Sequence, residues 1–235
     1  MQRKIFEKKK IMGILYSEYF HPFLESVNRA PEKARMVEIG SGVSPLKKAI
    51  PILVTTDLFL CPWLSLSLSA DRLPFKNNSL DRLFLMFTCH HLGRIDEFLN
   101  EAYRCLKHGS EMVIIDPAIT PFSKFYYKHF HIDKIDLVAK NWGFSGSGRL
   151  SDSNIALPWI VFVRDAELFS KMYPDFIIER IEYNTCLAFL LSGGLRLRQI
   201  LPTFILRTLF IIENWIIRNI SDKIAVTMIL TIKRK

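Results

Sequence analysis

The sequence predicts an α/β protein in which a largely parallel sheet is covered by helices on both faces. Short apolar runs of strand length end at glycine or polar residues, at 36–39, 52–56, 83–87 and 111–115. Between the last two runs, residues 94–107 carry apolar side chains at the spacing of an amphipathic helix, which is expected to end at Gly109. Strands that alternate with helices form right-handed crossovers, and these give a parallel sheet.

The remaining elements flank this core at 36–116. Residues 118–163 lose the regular apolar spacing, with a Tyr, His and Lys-rich patch at 125–134, and predict an inserted cap. The other predicted elements, in chain order, are an N-terminal helical segment at 1–30, short helices at 44–51 and 165–172, a long strand within 176–191, a helical segment at 195–220 and a closing strand at 224–232. No linker or repeat divides them, so we predict a single domain over residues 1–235.

Size and composition predict a packed core and an anionic partner. The 235 residues are 49% hydrophobic and 23% charged, which suits one large folded domain. The net charge of +9 arises from 32 Lys and Arg against 23 Asp and Glu, and it suits nucleic acid, acidic lipid or a phosphorylated substrate. Several of these cations lie at the two termini, where a solvated tail is the commoner explanation.

Cysteine usage and hydropathy predict a cytoplasmic protein. The four cysteines, at 61, 89, 105 and 186, form no C-x-x-C pair, so neither a disulfide framework nor a four-thiolate zinc site is expected. Residues 11–24 carry Glu18 and His21 and lack a small-residue cleavage site, so no secretion signal is predicted. The most apolar stretch, at 200–217, contains Pro202, Arg207 and Glu213, which argues against a transmembrane span.

Two acidic residues near glycines predict a nucleoside site at the carboxyl edge of the sheet. Glu38 precedes the turn at residues 40–42, where glycines let the backbone approach a ligand. Asp57 stands 15 residues after Gly42, at the end of the next strand, where a carboxylate can accept both hydroxyls of a ribose. A structural turn and a helix-capping aspartate are the alternatives. Pro45 replaces the third glycine of the dinucleotide-binding pattern, which disfavours nicotinamide or flavin.

Six short segments then follow one another in a recognisable order. They are VEIGSG at 37–42, TDL at 56–58, ADRLPF at 70–75, NSLD at 78–81, HHL at 90–92 and EAYRCLK at 101–107. Together they resemble the class I S-adenosylmethionine-dependent methyltransferases, in the branch that acts on small molecules, lipids and sugars. The resemblance implies a three-layer sandwich with a seven-stranded, mainly parallel sheet, one antiparallel strand and a helical or loop cap. It also implies S-adenosylmethionine as the cofactor.

The resemblance further implies which residues line the cofactor. The methionine part of the cofactor would be lined by Glu38, Gly40, Ser41 and Gly42. The ribose and adenine would be lined by Asp57, Leu58, Ala70 and Asp71. Phe87 would contact the cofactor from the acceptor side. The chain departs from the family pattern at three places. Ser69 replaces an acidic residue, the helix at 44–51 is short and proline-bounded, and residues 108–110 are His-Gly-Ser where Pro-Gly-Gly is usual.

Histidines are the candidate catalytic bases. His91 follows the fourth predicted strand near the expected sulfonium, and histidine titrates near neutral pH. His129 lies in the pattern His-Phe-His-Ile-Asp at 129–133, which on a strand would present three metal-ligand types on one face. No further ligand pattern supports zinc, so no metal is predicted and a cap that contacts the acceptor is the functional interpretation. A packed His91 and a solvated His129 are the structural alternatives.

The acceptor is expected to be a small molecule, a sugar or a lipid-linked glycan. Enzymes that methylate base amino groups usually carry an Asn- or Asp-Pro-Pro-aromatic turn after the fourth strand to hold a flipped base. Residues 88–91 are Thr-Cys-His-His, so nucleic acid is disfavoured as a substrate despite the positive charge.

The predicted helical segment at 195–220 has a broad apolar surface. Its polar face is formed by Thr203, Arg207, Asn214 and Arg218. So broad a surface is usually buried in the domain or in a dimer. It could instead lie at the inner face of a membrane, with anionic head groups meeting Arg196, Arg198, Arg207 and Arg218.

Two rival classes stay open at this point. A protein with the same fold could bind the cofactor or a partner without turnover, and a nucleotide-sugar or nicotinamide enzyme could use a similar sheet. Calorimetry with S-adenosylmethionine against NAD separates the second rival from a methyltransferase.

Overall fold

Seven strands form one sheet in the part of the chain that the structure describes. The computed structural model describes residues 2–131, 133–144, 153–194 and 198–235. Its strands are β1 (Met36–Ile39), β2 (Val54–Asp57), β3 (Leu66–Ser67), β4 (Leu80–Met86), β5 (Leu106–Pro117), β6 (Phe176–Asn184) and β7 (Thr227–Arg234). Their order is β3-β2-β1-β4-β5-β7-β6, and β7 is antiparallel to both of its neighbours. The predicted seven-stranded, mainly parallel sheet with one antiparallel strand is confirmed.

Helices cover both faces of this sheet. They are α1 (Gln2–Lys8), α2 (Lys10–Asn28), α3 (Leu46–Ala49), α4 (Ile95–Cys105), α5 (Pro121–Phe130), α6 (Leu157–Trp159), α7 (Ala166–Met172), α8 (Leu187–Leu191) and α9 (Thr203–Asn219). Short 3₁₀ turns at Cys89–His91 and Asp222–Ile224 and a π-helical turn at Ile160–Arg164 complete the description.

The two faces of the sheet have separate hydrophobic cores. Leu83 and Leu85 of β4 belong to the core that includes α4, α5, α6 and α7, whereas Phe84 and Met86 belong to the core that includes α2, α3, α8 and α9. This division follows from the strand geometry, because successive side chains point to opposite faces. The result is the predicted three-layer sandwich.

Element boundaries differ from the predicted ones where turns interrupt an apolar run. β2 begins at Val54 rather than at residue 52, and the Ile52 side chain is exposed. Helix α4 ends at Cys105, and Gly109 lies within β5 with a positive φ of 79° instead of ending the helix. The long strand predicted within residues 176–191 is β6, and the rest of that range forms α8. Helix α9 begins at Thr203 instead of residue 195, and residues 195–197, including Arg196, lie outside the described residues.

The cap is more helical than its composition predicts. Helix α5 covers most of the patch at 125–134, so His129 lies on a helix and not on a strand. A capping box starts this helix, because the Thr120 hydroxyl accepts from the Ser123 amide at 3.1 Å and the Ser123 hydroxyl accepts from the Thr120 amide at 2.7 Å. Residues 145–152 of the predicted cap lie outside the described residues.

Within the described ranges, no helix combines the length and apolarity that crossing a membrane requires.

A buried ion-pair network ties α2 to the sheet. The Glu111 carboxylate on β5 accepts hydrogen bonds from the Ser26 hydroxyl at 2.6 Å and from the Arg29 guanidinium at 3.0 Å, and the buried Arg82 guanidinium lies 3.9 Å away. Burial raises the pKa of Glu111, but the hydrogen bonds from Arg29 and Ser26 outweigh it and hold the pKa below the ordinary value. A carboxyl group with a lowered pKa stabilises the fold at neutral pH, and this contribution is lost as the pH falls.

We expect Glu111→Gln to lower the free energy of unfolding at pH 7 by about 3 kcal/mol, because it leaves the buried Arg82 without its carboxylate. The difference between the two proteins should shrink as the pH falls below 4.5, the ordinary pKa of the side chain. Urea titrations at several pH values measure both effects. Glu7→Gln removes an exposed carboxylate 3.4 Å from Arg3 and should change the stability by less than about 0.5 kcal/mol. A loss independent of pH would contradict this assignment.

Candidate functional site

The turn after β1 is bonded to the end of β2. The Ser41 amide donates to the Thr56 carbonyl at 2.8 Å, and the Ser41 hydroxyl accepts from the Thr56 amide at 3.1 Å. The Gly42 amide donates to Asp57 Oδ2 at 3.0 Å. The predicted pair of motifs therefore meets at one edge of the sheet, with the Asp57 carboxylate directly against the turn.

The two glycines of this turn have different environments. Both have a positive φ, 69° at Gly40 and 51° at Gly42, a region that glycine adopts without strain. A Cβ on Gly40 would lie 2.3 Å from Thr88 Oγ1, so only glycine fits where the turn packs against the end of β4. A Cβ on Gly42 would meet nothing within 4 Å. Gly42 is thus the position where the described residues leave room for a ligand.

Glu38 is a buried carboxyl group whose oxygens have no hydrogen-bond partner among the described residues. Its side chain is 1% exposed. The Ser41 hydroxyl donates to the main-chain carbonyl of Glu38 at 3.3 Å. Burial raises the pKa of Glu38 to about 8, the nearby Ser41 hydroxyl opposes this rise in part, and the charge of Asp57 adds to it. Because buried polar groups are normally satisfied, this group fits a bound donor or cation.

An aromatic wall stands beside Glu38 and the end of β4. Phe87 stacks on Phe189 of α8 at 5.8 Å between ring centroids and meets the Tyr19 ring edge-on at 5.1 Å. Burial, then Tyr19 and Glu38, raise the pKa of Tyr16. Phe87 is the predicted acceptor-side residue, whereas Tyr16, Tyr19 and Phe189 were missed because they come from distant segments. The N-terminal helix α2 thus contributes two tyrosines to the site region.

The predicted adenine-side residues follow β2 and β3. The Ser67 hydroxyl donates to the Leu58 carbonyl at 3.0 Å and fixes the chain after Asp57. Ala70 is half-buried. The Asp71 carboxylate is paired with Arg94, and a hydrogen bond from Ser69 together with Arg94 holds the pKa of Asp71 below its ordinary value against the effect of burial. Asp71 is therefore engaged by its own neighbours.

Trp63 is a further residue of the candidate site, and it was not predicted. Its indole Nε1 donates to the Gly42 carbonyl at 2.9 Å, and the Arg3 guanidinium lies 5.1 Å from its ring centroid. The signal available in the sequence was a lone tryptophan in an irregular segment shortly after Asp57. A tryptophan there covers one side of the glycine turn.

The end of β4 carries an oriented histidine pair. Asp116 accepts from the Cys89 amide at 2.8 Å and from Nδ1 of the buried His90. The His90 ring lies 4.0 Å from that of the predicted base His91. The His90–Asp116 pair was not predicted, because its two residues lie 26 positions apart in the chain, at the ends of different strands. The structure places His129 on α5, where its ring contacts those of Phe125 and Phe130.

Comparison with known proteins connects this arrangement with methyltransferases. Residues 56–114, about a quarter of the chain, match the family model described as a methyltransferase domain. The ubiquinone/menaquinone biosynthesis C-methyltransferase UbiE of Rhizobium rhizogenes is 30% identical over 77 residues, which are 33% of this chain and 26% of that protein. The Brucella canis protein of the same name is 28% identical over 82 residues, 35% of this chain and 27% of that protein. The chain thus spans about a quarter of the length of these curated relatives.

Solved structures share the fold over nearly the whole chain. A SAM-dependent methyltransferase from Archaeoglobus fulgidus has a TM-score of 0.54 at 14% identity, over 94% of this chain and 93% of that one. Geranyl diphosphate C-methyltransferase from Streptomyces coelicolor, solved with Mg²⁺, geranyl-S-thiolodiphosphate and S-adenosyl-L-homocysteine, has a TM-score of 0.55 at 12% identity, over 98% of this chain and 81% of that one. The chain has the class I methyltransferase fold.

The raised pKa of Glu38 predicts an unusual pH dependence of stability. The unfolded chain ionises this group near pH 4.5, whereas the folded chain keeps the proton up to about pH 8. Stability is therefore lost as the pH rises between these values, by about 1.4 kcal/mol for each unit of pKa difference.

We expect Glu38→Gln to match the wild-type stability near pH 4.5 and to exceed it at pH 8, because the variant has no charge to bury. Thermal unfolding followed by circular dichroism over this pH range measures the difference. Glu32→Gln, at an exposed position, should show no such divergence. Parallel pH profiles for wild type and Glu38→Gln would refute the assignment of a buried, uncompensated carboxyl group.

Proposed function

We propose that this protein is an S-adenosylmethionine-dependent methyltransferase that acts on a small-molecule acceptor. The observation that carries the proposal is the buried Glu38 carboxyl group beside Asp57 and the open face of Gly42. S-adenosylmethionine brings an ammonium, a sulfonium and ribose hydroxyls, which are positive charges and donors that suit the Glu38 and Asp57 carboxyl groups. The methyltransferase domain match and the shared fold support the same ligand.

The residues can be given roles consistent with their geometry. Glu38 would take the positive end of the methionine part, with Gly40, Ser41 and Gly42 supplying a turn that a side chain would obstruct. Asp57 keeps lone pairs for ribose hydroxyls while it bonds the Gly42 amide. Leu58, Ala70 and Asp71 would border the adenine. Phe87 and its aromatic neighbours would exclude water from the reacting side.

The cofactor supplies an electrophilic methyl group, so the protein has to align the acceptor and accept the proton that the acceptor loses. Asp116 holds His90 through Nδ1, and His91 lies against it, so this pair is the polar group after β4 that can meet the acceptor. His129 on α5 stays a candidate for contact with the acceptor from the cap side.

We expect wild-type protein to bind S-adenosylmethionine and S-adenosylhomocysteine, and not NAD, in isothermal titration calorimetry. Asp57→Asn should weaken the affinity for S-adenosylhomocysteine roughly 10- to 100-fold, because hydrogen bonds to a charged group are lost. Asp222→Asn, a matched change at an exposed position far along the chain, should bind as the wild type does. The proposal is abandoned if neither ligand binds, or if the two variants behave alike.

The acceptor we propose is apolar and lipid-linked. We propose that the protein reaches it by binding an acidic membrane surface through α9. The helix differs in part from the sequence-based expectation, because Arg207 and Arg218 of the predicted polar face are exposed but Asn214 is buried. Asn214 is buried and accepts from the Thr185 amide at 3.1 Å, and the buried Glu213 carboxylate accepts from the Cys186 and Ala188 amides at 2.8 and 3.0 Å. The outward side chains of α9 include Phe204, Ile211 and Trp215, which are 72%, 60% and 58% exposed.

Charge favours a bilayer as the occupant of this face. From residue 198 to 220 every exposed charged side chain is an arginine, at positions 198, 207 and 218. An apolar face with flanking arginines suits the boundary of an anionic bilayer. The curated relatives are named for ubiquinone/menaquinone biosynthesis, and one structural neighbour takes a geranyl compound, so apolar acceptors occur among similar proteins.

We expect the wild-type protein to co-sediment with phosphatidylglycerol vesicles and much less with phosphatidylcholine vesicles. The double variant Ile211→Glu/Trp215→Glu should lose this binding, because it places charges on the apolar face. Val138→Glu adds a charge at an exposed apolar residue of the cap and should leave it unchanged. If the wild type binds neither vesicle type, and gel filtration shows a wild-type dimer that becomes a monomer in the double variant, the face is a protein interface.

A further inference from the structure

The fold brings together a group of metal-ligand side chains that the sequence does not place side by side. His90 and His91 lie in the 3₁₀ turn after β4, and Asp133 lies in the cap after α5. One ligand atom from each of the three lies within 4.8 Å of the others. The cluster differs from the predicted pattern at 129–133, because the turn after β4 supplies its two imidazoles.

The surroundings of the cluster orient its members as they do in metal sites. His90 Nδ1 is held by the buried Asp116 carboxylate, which leaves Nε2 as the nitrogen available to a ligand. A carboxylate behind a ligating histidine is the usual second layer of a metal site. On the cap side, His131 lies 3.5 Å from Asp133, and the Asp133 amide donates to His131 Nδ1 at 3.2 Å.

Backbone hydrogen bonds hold the cap against this turn. The Asn154 amide donates to the His90 carbonyl at 3.0 Å, and the Asn154 side chain bonds Asp136 at both its amide and its carbonyl. The Ile155 amide donates to the Lys134 carbonyl at 3.0 Å. Asp133 is therefore anchored close to the histidine pair by a small polar network rather than by one flexible side chain.

We propose that His90, His91 and Asp133 bind one divalent transition-metal ion. Two imidazoles and one carboxylate are a ligand set that zinc and ferrous ions use, with further positions left for water or substrate. Metal–ligand bonds of about 2 Å place ligand atoms at most about 4 Å apart, so small side-chain rotations complete the set. The ion would join the cap to the end of β4.

The metal site adds to the proposed function. Metal binding itself does not depend on that function, but the role of the ion in methyl transfer does. A metal ion at the acceptor side would hold an anionic oxygen of the acceptor and lower the pKa of a bound hydroxyl group. The two histidines would then act as ligands, and no histidine base would be required for that proton.

Cobalt titration tests the site directly, because the weak visible absorption of aqueous Co²⁺ shifts and intensifies when histidine and carboxylate ligands replace water. We expect metal-free full-length protein to bind one equivalent of Co²⁺, which Zn²⁺ then displaces. Asp133→Asn and His91→Gln should each weaken Co²⁺ affinity at least ~10-fold. His129→Gln, in the same histidine-rich segment, should retain wild-type affinity. Circular dichroism confirms that each variant is folded.

Two results overturn the metal site: folded wild-type protein that binds neither ion, or a His129→Gln variant as impaired as Asp133→Asn. Titration of the same samples with S-adenosylmethionine separates this proposal from the proposed function. Absent cobalt binding with normal cofactor binding refutes the metal site alone. Normal cobalt binding without cofactor affinity refutes the methyltransferase proposal alone.

Discussion

The central strands of the sheet have no free face, and this constraint decides where chemistry can occur. Every residue of β1 and β4 is buried between the two helical layers. Polar side chains with room for a ligand therefore collect where the parallel strands end. Glu38, Asp57, the histidine pair and Asp116 lie at or near the carboxyl ends of β1, β2, β4 and β5, so the architecture gathers groups that are as much as 78 positions apart in the chain.

Glu38 shows that this edge is arranged for something other than stability. A buried carboxyl group without a partner costs free energy, in contrast with Glu111, whose carboxylate is matched by Arg29 and Ser26. The same residue type thus has opposite pKa shifts in one sheet, raised at Glu38 and lowered at Glu111. The charge of Asp57 acts on the Glu38 carboxyl group, and Asp57 accepts from the amide of Gly42, the turn glycine with open space around it.

The sequence was most informative where structure depends on neighbouring residues. Turn glycines, apolar runs and the amphipathic pattern of α4 are local signals, and they predict β1, β2, β4, β5 and α4, whereas the short strand β3 and the place of Gly109 within β5 were not predicted. The start of α5 was also available locally in Thr-Pro-Phe-Ser, but its aromatic and basic composition obscured the capping box. The roles given to Glu38, Asp57, Phe87 and His91 stay predictions, although the structure brings these residues to one edge of the sheet.

What could not be predicted depends on partners far along the chain. No local pattern relates His90 to Asp116, Trp63 to Gly42 or Tyr19 to Phe189, and each pair forms only when the strands are assembled. Helix α9 is the clearest example. Its polar residues at 213 and 214 face inward because they satisfy amides at Thr185, Cys186 and Ala188, which no periodicity within the helix reveals.

Those inward contacts connect the outer surface with the site. Glu213 bonds the amides at the start of α8, and α8 carries Phe189, whose ring stacks on Phe87 at the end of β4. The apolar outer face of α9 and the aromatic wall are thus two sides of one packed unit, joined by buried hydrogen bonds of Glu213. Because α8 is only five residues long, it has little stability of its own, and the seating of α9 fixes where Phe189 lies. These contacts therefore link the outer face of α9 to the position of the Phe189 ring.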